Sequence, residues 1–311
     1  SEVGMSVYAS GAVGTAESGD FSVNSGTAIT IDASTADVNN LTANVPVTVV
    51  GDLIDEENQT FTVTLSSATD ASISAGVSDV HTVTIVDNDA PPVVRIYYQG
   101  DDEVQAFDVA EGNGSFTFKV ALAGATEKDV SIDYEVDALV STTKLGQDYS
   151  GLASSGTFTL SAGVSSQDVT VTLTSDIVDE PDQTLKVDLV SGTETNATLS
   201  GTQNTITGTI LDDDLPPYVY FNNSNSTQGN EGAAGVTDQV LLTVTMTDTS
   251  ERTVIIPYSL GDGTATTDVD FVLTDHSIAV GTAITIAPGS GLTSTTIQLD
   301  IVGDNSLEEN Q

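Results

Sequence analysis

Carboxylates carry nearly all of the reactive chemistry in this chain, and they recur in order. The segment Val50-Gly51-Asp52-Leu53-Ile54-Asp55-Glu56-Glu57-Asn58-Gln59 returns as Thr174-Ser175-Asp176-Ile177-Val178-Asp179-Glu180-Pro181-Asp182-Gln183, and again as Val302-Gly303-Asp304-Asn305-Ser306-Leu307-Glu308-Glu309-Asn310-Gln311. A second acidic run, Val86-Asp87-Asn88-Asp89-Ala90-Pro91-Pro92, matches Leu211-Asp212-Asp213-Asp214-Leu215-Pro216-Pro217. Short acidic runs on adjustable loops suit calcium, a hard cation that takes about six to eight oxygens. Two bare carboxylates roughly 5 Å apart repel by about 3 kcal/mol at an effective dielectric near 20, so a cluster of them calls for a neutralising partner. The chain offers few internal ones: 6 Lys and Arg against 46 Asp and Glu among 311 residues, a net charge of -40. A bound cation is the simplest partner, and all-oxygen ligation favours calcium over zinc or copper. The alternative is a solvated acidic surface, as in proteins adapted to high salt. Placement of acids at the same positions of each unit favours ligation, whereas Asp101, Asp102 and Glu103 read as solvated charge.

Other chemistries fit less well. Paired carboxylates could imitate the acid and nucleophile of a glycosidase, but that reaction needs a cleft, usually lined by aromatics. Aromatics make up 5% of the chain and Trp is absent. His81 and His276 are isolated and read as surface or packing residues, and the absence of Cys excludes disulfides and thiolate metal sites. The expectation is that the chain is not an enzyme. Arg95, Lys119, Lys128, Lys144, Lys186 and Arg252 are too scattered to release the counterions of a nucleic acid, which excludes that partner and anionic lipid surfaces. No apolar run approaches the length of a membrane span, and no basic segment followed by an apolar one opens the chain, so neither span nor signal peptide is expected.

The elements that position these acids are strands. The repeat period of about 125 residues is that of a domain. Pro91-Pro92 and Pro216-Pro217 hold extended backbone and read as short, stiff connectors. Thr60-Phe61-Thr62-Val63-Thr64-Leu65 alternates polar and apolar residues, and Leu185, Val187 and Leu189 repeat that face. Val45-Val47-Val49, Val169-Val171-Leu173 and Ile297-Leu299-Ile301 each run directly into an acidic segment. No helical stripe competes with them. The fold class is all-β, with about seven strands per unit, and the units are 1–90, 91–215 and 216–311. The first opens on Val3 to Tyr8, the counterpart of Val130 to Tyr134 and Val254 to Tyr258, the third strand, so its first two strands are missing. The last stops where its final two strands should begin. A window cut from a longer array accounts for both ends. Complementation of half-units between chains in a head-to-tail filament accounts for them less well, because both halves carry the third to fifth strands.

In this order the motifs resemble the Calx-beta domain of sodium/calcium exchanger regulatory loops, integrin β4 and large bacterial surface proteins. The residues that carry the resemblance are Val109-Ala110-Glu111-Gly112, Asp262-Gly263-Thr264-Ala265 leading to Asp270-Phe271, the acidic segment followed by Thr60-Phe61-Thr62-Val63, and the terminal Asp212-Asp213-Asp214. The resemblance implies tandem seven-stranded Greek-key, immunoglobulin-like sandwiches that bind calcium at one tip. Carried over by position, it implies ligands Glu111, Asp176, Glu180, Asp212, Asp213 and Asp214 in the middle unit, with Asp137 added although Leu139 to Leu145 looks like an insertion. It implies Glu231, Asp262, Asp304 and Glu308 in the third unit, and Asp52, Glu56, Asp87 and Asp89 in the first, where Val13 stands in the place of Asp262 and the site is expected to be incomplete. Asp87 to Pro92 also resembles the cadherin linker, without that family's Leu-Asp-Arg-Glu motif.

These readings converge on a calcium-binding structural segment of a long extracellular or cell-surface fibre, such as an adhesin, stalk or filament. Its expected partners are calcium ions, neighbouring repeats and other copies in a filament. The alternatives are a calcium-sensing regulatory module of a larger membrane protein and an accessory binding module of a secreted enzyme.

Overall fold

The computed structural model describes residues 5–31, 42–69, 71–74, 79–99, 104–222, 227–259, 264–265, 270–273 and 283–303. Its strands in chain order are β1 (Met5–Val13), β2 (Phe21–Val23), β3 (Ala28–Ile31), β4 (Val47–Val49), β5 (Ile54–Asp55), β6 (Gln59–Thr69) and β7 (Val80–Ile85). There follow β8 (Val93–Tyr98), β9 (Ala106–Ala110), β10 (Ser115–Ala123), β11 (Ala125–Thr126), β12 (Val130–Val136), β13 (Tyr149–Ser150), β14 (Ser155–Leu160), β15 (Ser166–Leu173), β16 (Gln183–Leu189), β17 (Thr198–Leu199) and β18 (Thr205–Leu211). The last are β19 (Val219–Phe221), β20 (Thr237–Met246), β21 (Val254–Pro257), β22 (Phe271–Leu273), β23 (Ala283–Ile286) and β24 (Ser294–Val302). The chain is all-β, with the sandwich architecture of immunoglobulin-like domains.

The middle sandwich faces a sheet of order β13-β15-β10-β8-β17 against one of order β14-β12-β16-β18-β9. Period-two patterning builds it: β16 buries Leu185, Val187 and Leu189, while Lys186 and Asp188 stay on the other face. Val130, Ile132 and Tyr134 do the same in β12. The two inward faces meet in one apolar cluster that includes Ile96, Phe118, Val120, Ile132, Leu160, Val171 and Leu185, and each such burial contributes about 1.5–3 kcal/mol. Tyr134 stacks on Phe158 at 4.2 Å between centroids. The ring also fixes Gly156, because a Cβ there would fall 2.9 Å from Tyr134 atoms.

Two smaller clusters flank it, one around Phe61 and Val63 and one around Val244, Ile284 and Ile297. Within the first, β1 pairs with β3 and β6, just as β12 pairs with β14 and β16, so the opening strand has the role of a third strand. Around the last, β20 lies between β19 and β24 as β10 lies between β8 and β15. Two strands open the middle unit ahead of β10: β8 joins one sheet, and β9 crosses to the other to run parallel to β18.

That crossing builds the tip. Because β9 and β18 are parallel, with Ala110 opposite Leu211, their ends set Glu111 beside Asp212. β16 is antiparallel to β18, with Gln183 opposite Ile210, so the acidic segment preceding β16 reaches the same end. Thr172, near the end of β15, pairs with Ser115 at the start of β10, and Asp176 follows shortly after it.

Candidate cation site

Glu111 opens a short 3-10 turn, Glu111–Asn113, closed by Gly114 in the left-handed region at φ 75°. Its carboxylate is buried, and one oxygen accepts the Asp176 backbone N–H at 2.9 Å. Carboxylate oxygens of Glu111, Asp212 and Asp214 lie within 4.8 Å of one another. Asp213 packs over Gly112, where a Cβ would stand 2.6 Å from its Oδ2. The backbone turns are tied by carboxylates as well: Asp176 Oδ1 accepts the Val178 N–H at 2.7 Å, and Asp182 Oδ1 accepts the Asp212 N–H at 3.3 Å.

These acids outnumber their counter-charge, which among the described residues is Arg252 at 3.5 Å from Asp212. Burial, reinforced by the charges of Glu251, Asp176, Asp148 and Glu111, pushes Glu180 up to about 7. Burial raises Glu111 too, against the hydrogen bond from Asp176, and burial with the neighbouring Asp212 and Asp213 raises Asp214. The Oδ2 atom of Asp214 is shielded from solvent and has no hydrogen-bond partner among the described residues. A shielded carboxylate oxygen on an acid that is clustered with two more acids is what a hard, oxygen-seeking cation would satisfy. The donor set therefore fits calcium.

The structure does not bring Asp137 to this group. Residues 138–145 fold back along β16, with the N–H groups of Thr142 and Thr143 both donating to Thr184 O, and Asp137 is held farther up that strand. Its Oδ2 pairs with Lys186 at 2.9 Å, and that contact holds its carboxyl below the ordinary range. Asp148 takes the neighbouring place: its carbonyl accepts the Thr174 N–H at 2.9 Å, and its charge acts on Glu180. The signal for it is in the sequence, since an acid followed by an aromatic recurs as Asp20-Phe21, Asp148-Tyr149 and Asp270-Phe271.

The first unit repeats the pattern. Asp52 Oδ1 accepts the Ile54 N–H at 2.8 Å and Asp87 Oδ1 accepts that of Asp89 at 3.3 Å. Burial raises Glu56, with Glu127, Asp52, Asp20 and Asp87 adding to the effect in that order. Val13, exposed at the end of β1, offers no ligand. In the third unit Glu231 and Asp270 line one cavity of about 650 Å³ with Val240, Phe271 and Ile301. Asp262, Asp304 and Glu308 lie outside the described residues. Sequence reading also passed over Glu127 and Glu251, each from the unit that follows the tip it faces.

An all-β chain of serial sandwiches with carboxylates gathered at equivalent strand ends defines a tandem-repeat protein with acidic tips. A family model of the Calx-beta domain matches residues 35–89, 103–214 and 212–311, and the chain belongs to that family. Among solved structures, the apo form of the Calx CBD1 domain is 24% identical over 39% of this chain and 99% of its own, with a TM-score of 0.32. The CBD12 fragment of CALX1.2 is 22% identical over 67% of this chain and 75% of its own, also at 0.32. No curated protein sequence matches the chain. Among the described residues, no helix is long and apolar enough to cross a membrane.

Proposed function

We propose that the chain is a calcium-binding structural segment of a long extracellular or cell-surface fibre, an adhesin, stalk or filament, built from the repeats 1–90, 91–215 and 216–311. The observation that carries this reading is the Glu111, Asp212 and Asp214 cluster with its unpartnered, shielded oxygen. Asp176, Glu180 and Asp213 complete the proposed middle set, and Asp148 joins it on the strength of its charge acting on Glu180 and its backbone tie to Thr174. Asp52, Glu56, Asp87 and Asp89 form a sparser set in the first unit, and Glu231, Asp262, Asp304 and Glu308 belong to the third.

Calcium here would serve as fixed positive charge. It neutralises carboxylates of one repeat and also shields the Glu that the next repeat turns toward them, Glu127 at Glu56 and Glu251 at Glu180. Both effects stiffen the joint. No general acid, base or nucleophile is needed, which agrees with a non-catalytic role. Neighbouring repeats, and other copies in a filament, are the partners this reading supports.

A ligand bound only by the folded state stabilises it by about 2.7 kcal/mol at a hundredfold excess over Kd, a melting shift on the order of 10 °C for a domain this size. Thermal unfolding with calcium and with a chelator should differ by such an amount, and Asp176→Asn with Glu180→Gln should remove most of the difference in the middle unit. An equal calcium-dependent shift in parent and variant would overturn the ligand assignment.

A further inference from the structure

Five polar or charged residues are buried among those described, and four of them, Asp55, Thr126, Asp179 and Ser250, lie where one repeat meets the next. They form the same arrangement twice. At the first joint Thr126 Oγ1 donates to Asp55 Oδ2 at 2.9 Å, Lys128 Nζ binds Asp55 Oδ1 at 2.8 Å, and the Glu127 N–H donates to the Asp55 carbonyl at 3.0 Å. At the second, Ser250 Oγ donates to Asp179 Oδ2 at 2.8 Å, Arg252 Nε binds Asp179 Oδ1 at 3.0 Å, and the Glu251 N–H donates to the Asp179 carbonyl at 2.9 Å. Each hydroxyl is itself held by the basic residue's own N–H, at 3.1 Å from Lys128 and 3.0 Å from Arg252. The cation then reaches the terminal acid of the preceding repeat: Lys128 lies 3.8 Å from Asp87 and Arg252 lies 3.5 Å from Asp212. Both joints span the same distance along the chain, 71 residues from Asp to hydroxyl and 73 from Asp to cation.

We propose that consecutive repeats are latched by this clasp: a buried Asp at the tip of one repeat is captured by a Thr/Ser-Glu-Lys/Arg triplet at the head of the next. The partner that the tip recognises is thus a following repeat carrying that triplet. Both carboxylate oxygens are satisfied by partners from the other repeat, so the burial of Asp55 and Asp179 makes sense only when the two repeats are docked. A chain with only 6 basic residues commits two of them to this purpose. The clasp also varies separately from the acids proposed to bind calcium. In the third acidic segment Asp304 and Glu308 are kept, while the position of Asp55 and Asp179 holds Leu307. Latching is therefore a second device at the joint: it borders the proposed cation sites through Asp87 and Asp212, but its buried Asp, hydroxyl and cation are not among the proposed ligands.

The chain has no Cys, so spin labels placed through Thr159→Cys and Ser294→Cys, both exposed, report the second joint in the full chain. In chelator, Asp179→Asn and Arg252→Met should broaden the distance distribution relative to the parent. Ser250→Thr with Arg252→Lys, which copies the first joint, should keep the parent's width. Should Asp179→Asn prevent folding, Arg252→Met alone reads the clasp from its less buried side. Widths for Asp179→Asn and Arg252→Met equal to the parent's in chelator would overturn the proposal, as would a Thr/Lys exchange as broad as Arg252→Met. Failure of the calcium reading looks different: parent widths unchanged by calcium, with the variants still broadened.

Discussion

At the residue scale, Glu180 is the most informative side chain of the tip. Its ordinary value is 4.5 and the fold raises it to about 7, chiefly by burial and then by the charges of Glu251 and Asp176. A raised carboxyl favours the protonated form in the folded state. Its stabilising effect is therefore complete below the unfolded value and is lost as pH rises between about 4.5 and 7. Calcium-free protein should melt at progressively lower temperature across that window, and Glu180→Gln should flatten the profile. Glu111 and Asp214 are shifted the same way. Calcium needs the ionised form, so it must displace the proton that the fold retains, and its affinity should fall as pH drops below about 7. Calorimetric titrations at about pH 5.5 and 7.5 check this; equal affinities at the two would show that Glu180 is not a ligand.

At the scale of elements, the return of residues 138–145 along β16 decides which acid reaches the tip. Lys186 holds Asp137 from one side and Asp188 lies 2.9 Å from the same Nζ, forming a small network on the sheet face. Asp137 is thus an acid with a structural partner. Asp137→Asn should leave the calcium-dependent melting shift intact and lower stability at neutral pH. Because Lys186 depresses the Asp137 carboxyl, that loss should disappear on acidification through its folded value. A calcium response diminished as strongly as by Glu180→Gln would place Asp137 back among the ligands. The same element shows what the sequence made legible. Alternation in Thr60 to Leu65 and Leu185 to Leu189 predicts strands directly, because period two is a local property. The ordering of acids at strand ends predicts most of the tip, since a strand's end fixes its neighbours. What the insertion does to Asp137 depends on a hydrogen-bonding path along another strand. The clasp depends on residues 71 and 73 apart meeting across a joint, which no local pattern encodes.

At the scale of the whole molecule, the charge of -40 offers a competing explanation for any effect of calcium, since divalent ions screen a polyanion without occupying a site. Screening and coordination differ in what they ask of the ion. At physiological ionic strength the Debye length is about 8 Å, so monovalent salt already damps repulsion between separate surfaces, while the carboxylates within 4.8 Å of one another at the tip remain coupled. Screening depends on valence, and magnesium and calcium have the same valence. Coordination separates them, because magnesium demands compact octahedral geometry and gives up water reluctantly, whereas the tip offers carboxylates from three separate segments, Glu111, the loop at Asp176 and the end of β18. At about 0.15 M monovalent salt, calcium should raise the melting temperature well beyond an equal concentration of magnesium, and calorimetry should give saturable binding for calcium alone. Equal shifts for the two ions, growing with concentration and never saturating, would reduce the acidic tips to diffuse charge and leave the buried clasps as the devices that hold one repeat to the next.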